Sequence, residues 1–199
     1  MLSLLDVPEE ILVEIIELVV PTSIEAFSFC CRHIYIIARR SLHNHNRMKR
    51  SCSILDCGFN NQWHPAYALK RVLTDPHFAY YPVEARLGCR SSCVCLEPSL
   101  LFDSANITKM AVTIEDCITR VSSKTSSNFT RQWLQLITNG FAEPIIALLV
   151  MLLPNLHTLA LQGYINEGQH IALGLAYVGC QNRRIHLKVF HHGTYELSF

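Results

Sequence analysis

Leu4-Leu5-Asp6-Val7-Pro8-Glu9-Glu10-Ile11-Leu12 opens the chain, and Cys30-Cys31-Arg32-His33-Ile34-Tyr35 follows within its first forty residues. Pro8 belongs in the first turn of a helix, where its missing N–H costs nothing. Asp6 and Glu9 have capping-box spacing, which would start that helix at Val7. Ile11, Leu12, Ile15, Ile16, Leu18 and Val19 recur at helical spacing, with Glu10, Glu14 and Glu17 on the other side. Pro21 ends this helix. Thr22 and Glu25 repeat the capping-box spacing and start a second one, whose buried face holds Ile24, Phe27 and Cys31. A third helix is expected from Arg32 toward Leu42, with Ile34, Tyr35, Ile37 and Ala38 apolar.

Three helices in about forty residues are a marginal domain, because so short a segment buries little of its surface. The apolar band of the first helix is also wider than one stripe. One side of that helix is therefore available to another protein, or packs on the chain's own C-terminal part.

The chain has 199 residues, half of them apolar and 17% charged, with a mean hydropathy of +0.21. Charged residues usually make up about a quarter, so surplus apolar surface is expected to meet a partner. The net charge of +1 conceals a split. Asp6, Glu9, Glu10, Glu14, Glu17 and Glu25 precede residue 32, with no base among them. Arg32, Arg39, Arg40, Arg47, Lys49 and Arg50 follow without an acid. A nucleic-acid patch is one reading of that split. Core-type residues interrupt the basic stretch, however, so a helix pair complementing its own charges and dipoles is expected instead.

Nine cysteines follow no framework spacing, and no basic segment of a secretory signal precedes them. Reduced thiols and an intracellular protein, cytoplasmic or nuclear, are expected. The sequons at Asn106 and Asn128 then count as chance matches. The longest apolar run, Pro144 to Leu153, is about half of the roughly 20 residues a spanning helix needs, so no membrane association is expected.

Residues 43–61 read as connection. Pro65 to Leu73 reads as a helix stopped by Asp75-Pro76. Val83, Ala85 and Leu87 alternate as a strand ending at Gly88. Ala111 to Val121 is an amphipathic helix and Ser122 to Asn128 a Ser-rich break. Trp133 to Ile137 and Phe141 to Leu153 are helices separated by Asn139-Gly140. Leu156, Leu159 and Leu161 have the Leu-x-x-Leu-x-Leu spacing of a leucine-rich-repeat strand, and Ile185, Leu187 and Val189 alternate as another strand. Helix followed by strand, more than once, suggests an irregular α/β solenoid segment. An ordinary α/β fragment is the other reading. Tyr195 to Phe199 offer no terminal cap, so a shortened chain that self-associates is expected.

Little in the chain points to chemistry. Cys89, Cys93 and Cys95 form Cys-x3-Cys-x-Cys, but neither His77 nor a second pair completes a tetrahedral zinc set. No cysteine has a family-type nucleophile context, and no phosphate-binding glycine loop or nucleotide fingerprint occurs. No catalytic residue, metal or cofactor is expected.

The opening residues resemble an F-box. The family pattern is Leu-Pro, an acidic-apolar helix, a short second helix, then Cys-Arg and an aromatic three residues on. This chain has Val7-Pro8, Glu10-Ile11-Leu12, Ile15-Ile16, Ile24, Phe27, Cys31-Arg32 and Tyr35. It departs at Val7, where Leu is usual, at Ser23, where Asp often stands, and at Tyr35, where Trp is common. The resemblance implies binding to the Skp adaptor of an SCF (Skp–cullin–F-box) ubiquitin ligase, and through it to a cullin–RING ligase. The adaptor-contact residues it implies are Leu5, Val7, Pro8, Ile11, Leu12, Ile15, Ile16, Ile24, Phe27, Cys31, Arg32 and Tyr35. Cys57-Gly58, Asn61-Gln62-Trp63-His64-Pro65-Ala66-Tyr67 and the Leu156–Leu161 spacing resemble filamentous-fungal F-box proteins with degenerate leucine-rich repeats.

The expected architecture is mainly α with some β. An F-box would occupy 1–45, a linker helix, short strand and irregular connection 46–128, and an incomplete leucine-rich-repeat-like α/β segment 129–199. The expected function is a non-enzymatic substrate receptor that presents an unidentified target protein to the ligase, without nucleic acid. The alternatives are an F-box protein acting outside the ligase, a truncated receptor without function, and a metal- or thiol-dependent enzyme.

Overall fold

The computed structural model describes residues 7–57, 65–89, 102–121, 127–163 and 184–190. The chain divides into two compact units, Met1–Ser53 and Ile54–Phe199.

The first unit is three helices: α1 (Glu9–Val19), α2 (Ile24–Ser28) and α3 (Arg32–Ser51). Leu12 and Ile16 of α1, Ile24 of α2, and Ile34 and Ala38 of α3 are its buried apolar residues. Val19, Val20, Phe27, Ile37 and Leu42 pack against Ile16, Ile24 and Ala38. The expected Thr22–Glu25 capping box does not form, and Asp6 of the other lies outside the described residues. Pro8 is the N-cap of α1 and Ser23 that of α2, and neither side chain caps its helix. Glu25 instead turns its carboxylate to Lys49 of α3, 2.8 Å away, because a charge-assisted bond to an ammonium outweighs one to a neutral amide.

The third helix runs past Leu42 to Ser51, through residues expected to be a connection. Its last two turns contain no aliphatic stripe. His45 is buried there instead, and Lys49 reaches back to Glu25. Polar packing thus extends a helix that hydrophobic periodicity alone ends early. Lys49 and Arg50 in its last turn also suit the negative end of the helix dipole.

The second unit contains a four-stranded parallel sheet, with helices described between its first and second strands and between its second and third. In chain order it comprises β1 (Ile54–Cys57), α4 (Pro65–Thr74), a 3-10 turn (Pro76–Tyr80), β2 (Glu84–Cys89), α5 (Ser104–Val121), α6 (Ser127–Thr138), α7 (Ala142–Leu152), β3 (Thr158–Gly163) and β4 (His186–Phe190). The strands lie in sequence order, β1-β2-β3-β4. Strand β1 was expected to be connection, and residues 104–110 extend α5 upstream of the expected Ala111 start. Ser127 and Asn128 belong to α6, while the rest of the expected Ser-rich break lies outside the described residues. The secondary structure is mainly α with a small parallel sheet, as expected.

Register explains the burial pattern. Cys57, Leu87 and Leu161 are aligned and buried, while the neighbouring row runs Asp56, Arg86, Ala160 and Lys188, its three charged residues exposed and Ala160 buried. Ile54, Glu84, Thr158 and His186 are also aligned, with sequence steps of 30, 74 and 28 residues. The long middle step accommodates α5, α6 and α7. Parallel neighbours always need such crossovers, and α7 is the most deeply set of them, with Pro144 to Met151 buried.

The turn between α6 and α7 is a Schellman motif at Asn139-Gly140. Phe141 N–H donates to the Leu136 carbonyl at 3.0 Å and Gly140 N–H to that of Ile137 at 2.9 Å. Gly140 has φ of 79°, the left-handed region where a Cβ is penalised. Trp133 of α6 is fully buried, and its indole N–H donates to the Pro144 carbonyl at 3.2 Å. No single described helix is long and apolar enough to cross a membrane. Among the described residues, α6 and α7 taken together would pass for length and composition, bent by 107°.

Candidate adaptor-docking site

Helix α1 carries two adjacent apolar stripes. Leu12, Ile16 and Val19 recur at i, i+4 and i+7 and face inward, with Leu12 and Ile16 buried and Val19 packed on the core. Ile11, Ile15 and Leu18 repeat that spacing one residue earlier, about 100° around the helix. This second stripe is not used by the unit's own core: Ile11 is 44% exposed, Leu18 82%, and Ile15 half-buried. Exposed acids flank it at Glu10, Glu14 and Glu17.

The other helices add apolar side chains in water. Phe29, in the turn between α2 and α3, is 75% exposed, and Ile36 of α3 is 60% exposed. Tyr35 is exposed beside it. Arg32, Arg39 and Arg40 are exposed on α3.

The Cys31-Arg32 pair has a local structural reason. Cys31 is extended, and its Sγ accepts the Ile34 N–H at 3.4 Å, so the thiol caps α3. Arg32 is the first helical residue. The buried Ser28 hydroxyl donates to the Glu25 carbonyl at 2.9 Å. Burial therefore leaves no polar side-chain atom of the described residues without a hydrogen bond.

The expected contact residues divide three ways. Pro8, Ile11, Arg32 and Tyr35 are exposed, and Val7, Ile15, Phe27 and Cys31 are half-buried. Leu12, Ile16 and Ile24 form the unit's own interior. Leu5 lies outside the described residues. Leu18 belongs to the apolar band read from sequence but not to the expected contacts; Phe29 and Ile36 were not singled out, although Phe29 offered a signal: an aromatic in the turn before Cys30-Cys31 has no helix face on which to bury.

The charge split between the first and third helices produces one local cluster. Glu25 Oε1 lies 2.8 Å from Lys49 Nζ and 3.5 Å from His45 Nε2. The bond from Lys49 holds the Glu25 carboxyl below its usual range. Among the described residues the ion pairs of this unit run from α2 to α3, and none involves α1.

The described residues contain no group of three or more His, Cys, Asp and Glu side chains placed to hold a metal ion. Cys93 and Cys95 lie outside them. Burial, and next the Asp56 charge, push the Cys57 thiol up to about 12, the opposite of what a nucleophilic cysteine needs.

Residues 4–46 match the F-box domain family. The F-box spans the three helices down to the penultimate turn of α3. No curated protein matches the chain, and no solved structure does. An F-box is a Skp-binding module of SCF-type ligases, and proteins that carry one are typically adaptors rather than enzymes. Against that background the free stripe on α1 is apolar surface suited to a protein partner.

Proposed function

We propose that this chain is a substrate receptor of an SCF-type ubiquitin ligase. The F-box unit would dock on the Skp adaptor through the Ile11–Ile15–Leu18 stripe of α1, with Phe29, Tyr35 and Ile36 as further apolar contacts. The carrying observation is that stripe: a helix already holding its core with Leu12 and Ile16 leaves a second apolar row in water. Burying a large aliphatic side chain stabilises by about 1.5–3 kcal/mol, so three or four such residues supply a docking energy. Leu12, Ile16 and Ile24 then act indirectly, by holding the helices in place.

The Ile54–Phe199 unit would present the target, as a short leucine-rich-repeat-like solenoid of the kind filamentous-fungal F-box proteins carry. Its support is the sequential parallel strand order and the similar steps of 30 and 28 residues at the two ends of the sheet. Stacked repeats bury one continuous core this way. The chain would supply proximity between target and ubiquitin in the cytoplasm or nucleus, the bond-making residing in other subunits.

Co-expression with the Skp adaptor and a cullin tests the proposal. Ile11→Asp with Leu18→Asp should abolish co-purification while circular dichroism stays unchanged. Retained binding at wild-type strength would refute the docking face.

A further inference from the structure

The second unit contains a cavity of about 590 Å³ between α4, the 3-10 turn, α5 and the end of α7. Its size falls within the roughly 300–1,000 Å³ of small-molecule sites. Val72 and Leu73 of α4, Val112 of α5 and Met151 of α7 are among its walls. Val112 is 64% exposed, so one apolar wall is wetted.

The polar groups at the cavity are few, and most are already engaged. The Thr108 hydroxyl donates to the Ser104 carbonyl at 2.9 Å and the Thr113 hydroxyl to that of Lys109 at 2.8 Å, each one turn back in α5. Among the described residues that line it, only Lys109 carries a charge. Its Nζ donates to the Leu73 carbonyl at 3.4 Å, near the limit for such a bond. An ammonium has three donors, and Lys109 is exposed, so its other two N–H groups face water at the mouth of the cavity. Among the described residues no carboxylate lies within ion-pair distance of it.

An apolar cavity with one under-used cation selects a particular chemistry. A cationic ligand would be repelled, a purely apolar one would make no use of the ammonium at the cavity mouth, and an anion on an apolar body uses both the walls and the charge. We propose that this cavity binds a small amphipathic carboxylate, its apolar body against Val72, Val112 and Met151 and its carboxylate on the Lys109 ammonium. The site lies wholly within the second unit, so it stands or falls independently of adaptor docking.

The full chain can be titrated by calorimetry with straight-chain carboxylates from octanoate to dodecanoate, and with the alcohols and amines of the same lengths. Affinity should rise roughly fourfold per added CH₂ until the cavity is filled. The carboxylate should bind up to roughly fivefold more tightly than the alcohol, and the amine most weakly. Lys109→Met should erase the preference for carboxylate, Lys109→Arg should keep it, and Val112→Trp should weaken the whole series. Circular dichroism confirms that each variant is folded, and the Lys109→Arg and Val112→Trp arms decide the matter if Lys109→Met is not. Equal binding of carboxylate and alcohol, a preference unchanged in Lys109→Met, or no binding of any member by the wild-type chain would each overturn the proposal.

Discussion

Lys49, in the last turn of α3, donates to the Glu25 carboxylate of α2 at 2.8 Å across 24 residues of sequence. The same carboxylate oxygen lies 3.5 Å from the buried His45. This contact fastens the polar end of the F-box unit, where no aliphatic stripe continues.

Its contribution should depend on pH in one direction. The Glu25 pKa is lowered by Lys49 in the folded chain, so the bond is fully present above the usual carboxylate pKa and is lost as pH falls through the lower folded value. Half-exposed ion pairs are worth only about 0.2–1 kcal/mol. Lys49→Met should therefore speed hydrogen exchange of the 45–51 amides slightly at neutral pH. The gap to wild type should close once Glu25 is protonated. An effect that grows on acidification would contradict this linkage.

The two stripes of α1 should respond differently to substitution. Leu12→Ala removes a fully buried side chain and should cost about 2–5 kcal/mol, with loss of the helical signal of the first unit on heating. Ile11→Asp, on the free stripe, should leave the melting transition in place and remove only the adaptor. Matching stability losses in both variants would mean that the second stripe is structural.

Trp133 should dominate the α6–α7 pairing. It is buried, bonds the Pro144 carbonyl and meets Phe129 edge-on with ring centroids 6.0 Å apart. Trp133→Ala should cost about 3–5 kcal/mol, whereas Phe129→Leu should cost about 1 kcal/mol or less, the size of an aromatic pair term. Urea titration followed by circular dichroism measures both.

Thiol reactivity should rank by burial. Cys30 is exposed, while Cys57 and Cys117 are buried, and Cys57 has its pKa pushed up to about 12. At pH 8 iodoacetamide should modify Cys30 within minutes and spare Cys57 and Cys117 until denaturant is added. Mass spectrometry of tryptic peptides reads the order directly; early labelling of Cys57 would contradict the burial of β1.

Sequence pattern reached some elements and missed others for identifiable reasons. Strands β2, β3 and β4 were legible because Ala85 and Leu87, Leu159 and Leu161, and Leu187 and Val189 alternate with other residues. Helix α7 was legible from its unbroken apolar run, and its start from Asn139-Gly140. Strand β1 was not: Ile54-Leu55-Asp56-Cys57 is four residues long, and only the register with Glu84 to Leu87 defines it. The end of α3 was hidden because His45 and Lys49 act through a partner 20 or more residues away. At the candidate docking site, the helix was legible but its two stripes were not separable. Which of Ile11 and Leu12 faces inward depends on where α3 sits, and that is tertiary information.

The crossover between β2 and β3 is more than twice as long as those on either side, yet Glu84 and Thr158 remain partners in an unbroken ladder. The sheet therefore constrains where each strand returns and not how much chain is spent in returning. Length is a free variable at that junction. The α5 helix, the wall that carries Lys109, lies within that excursion and is held by its own packing through Met110, Ile114 and Ile118 and not by the ladder. A change of ligand could be acquired by exchanging the excursion while the ladder beneath it is kept.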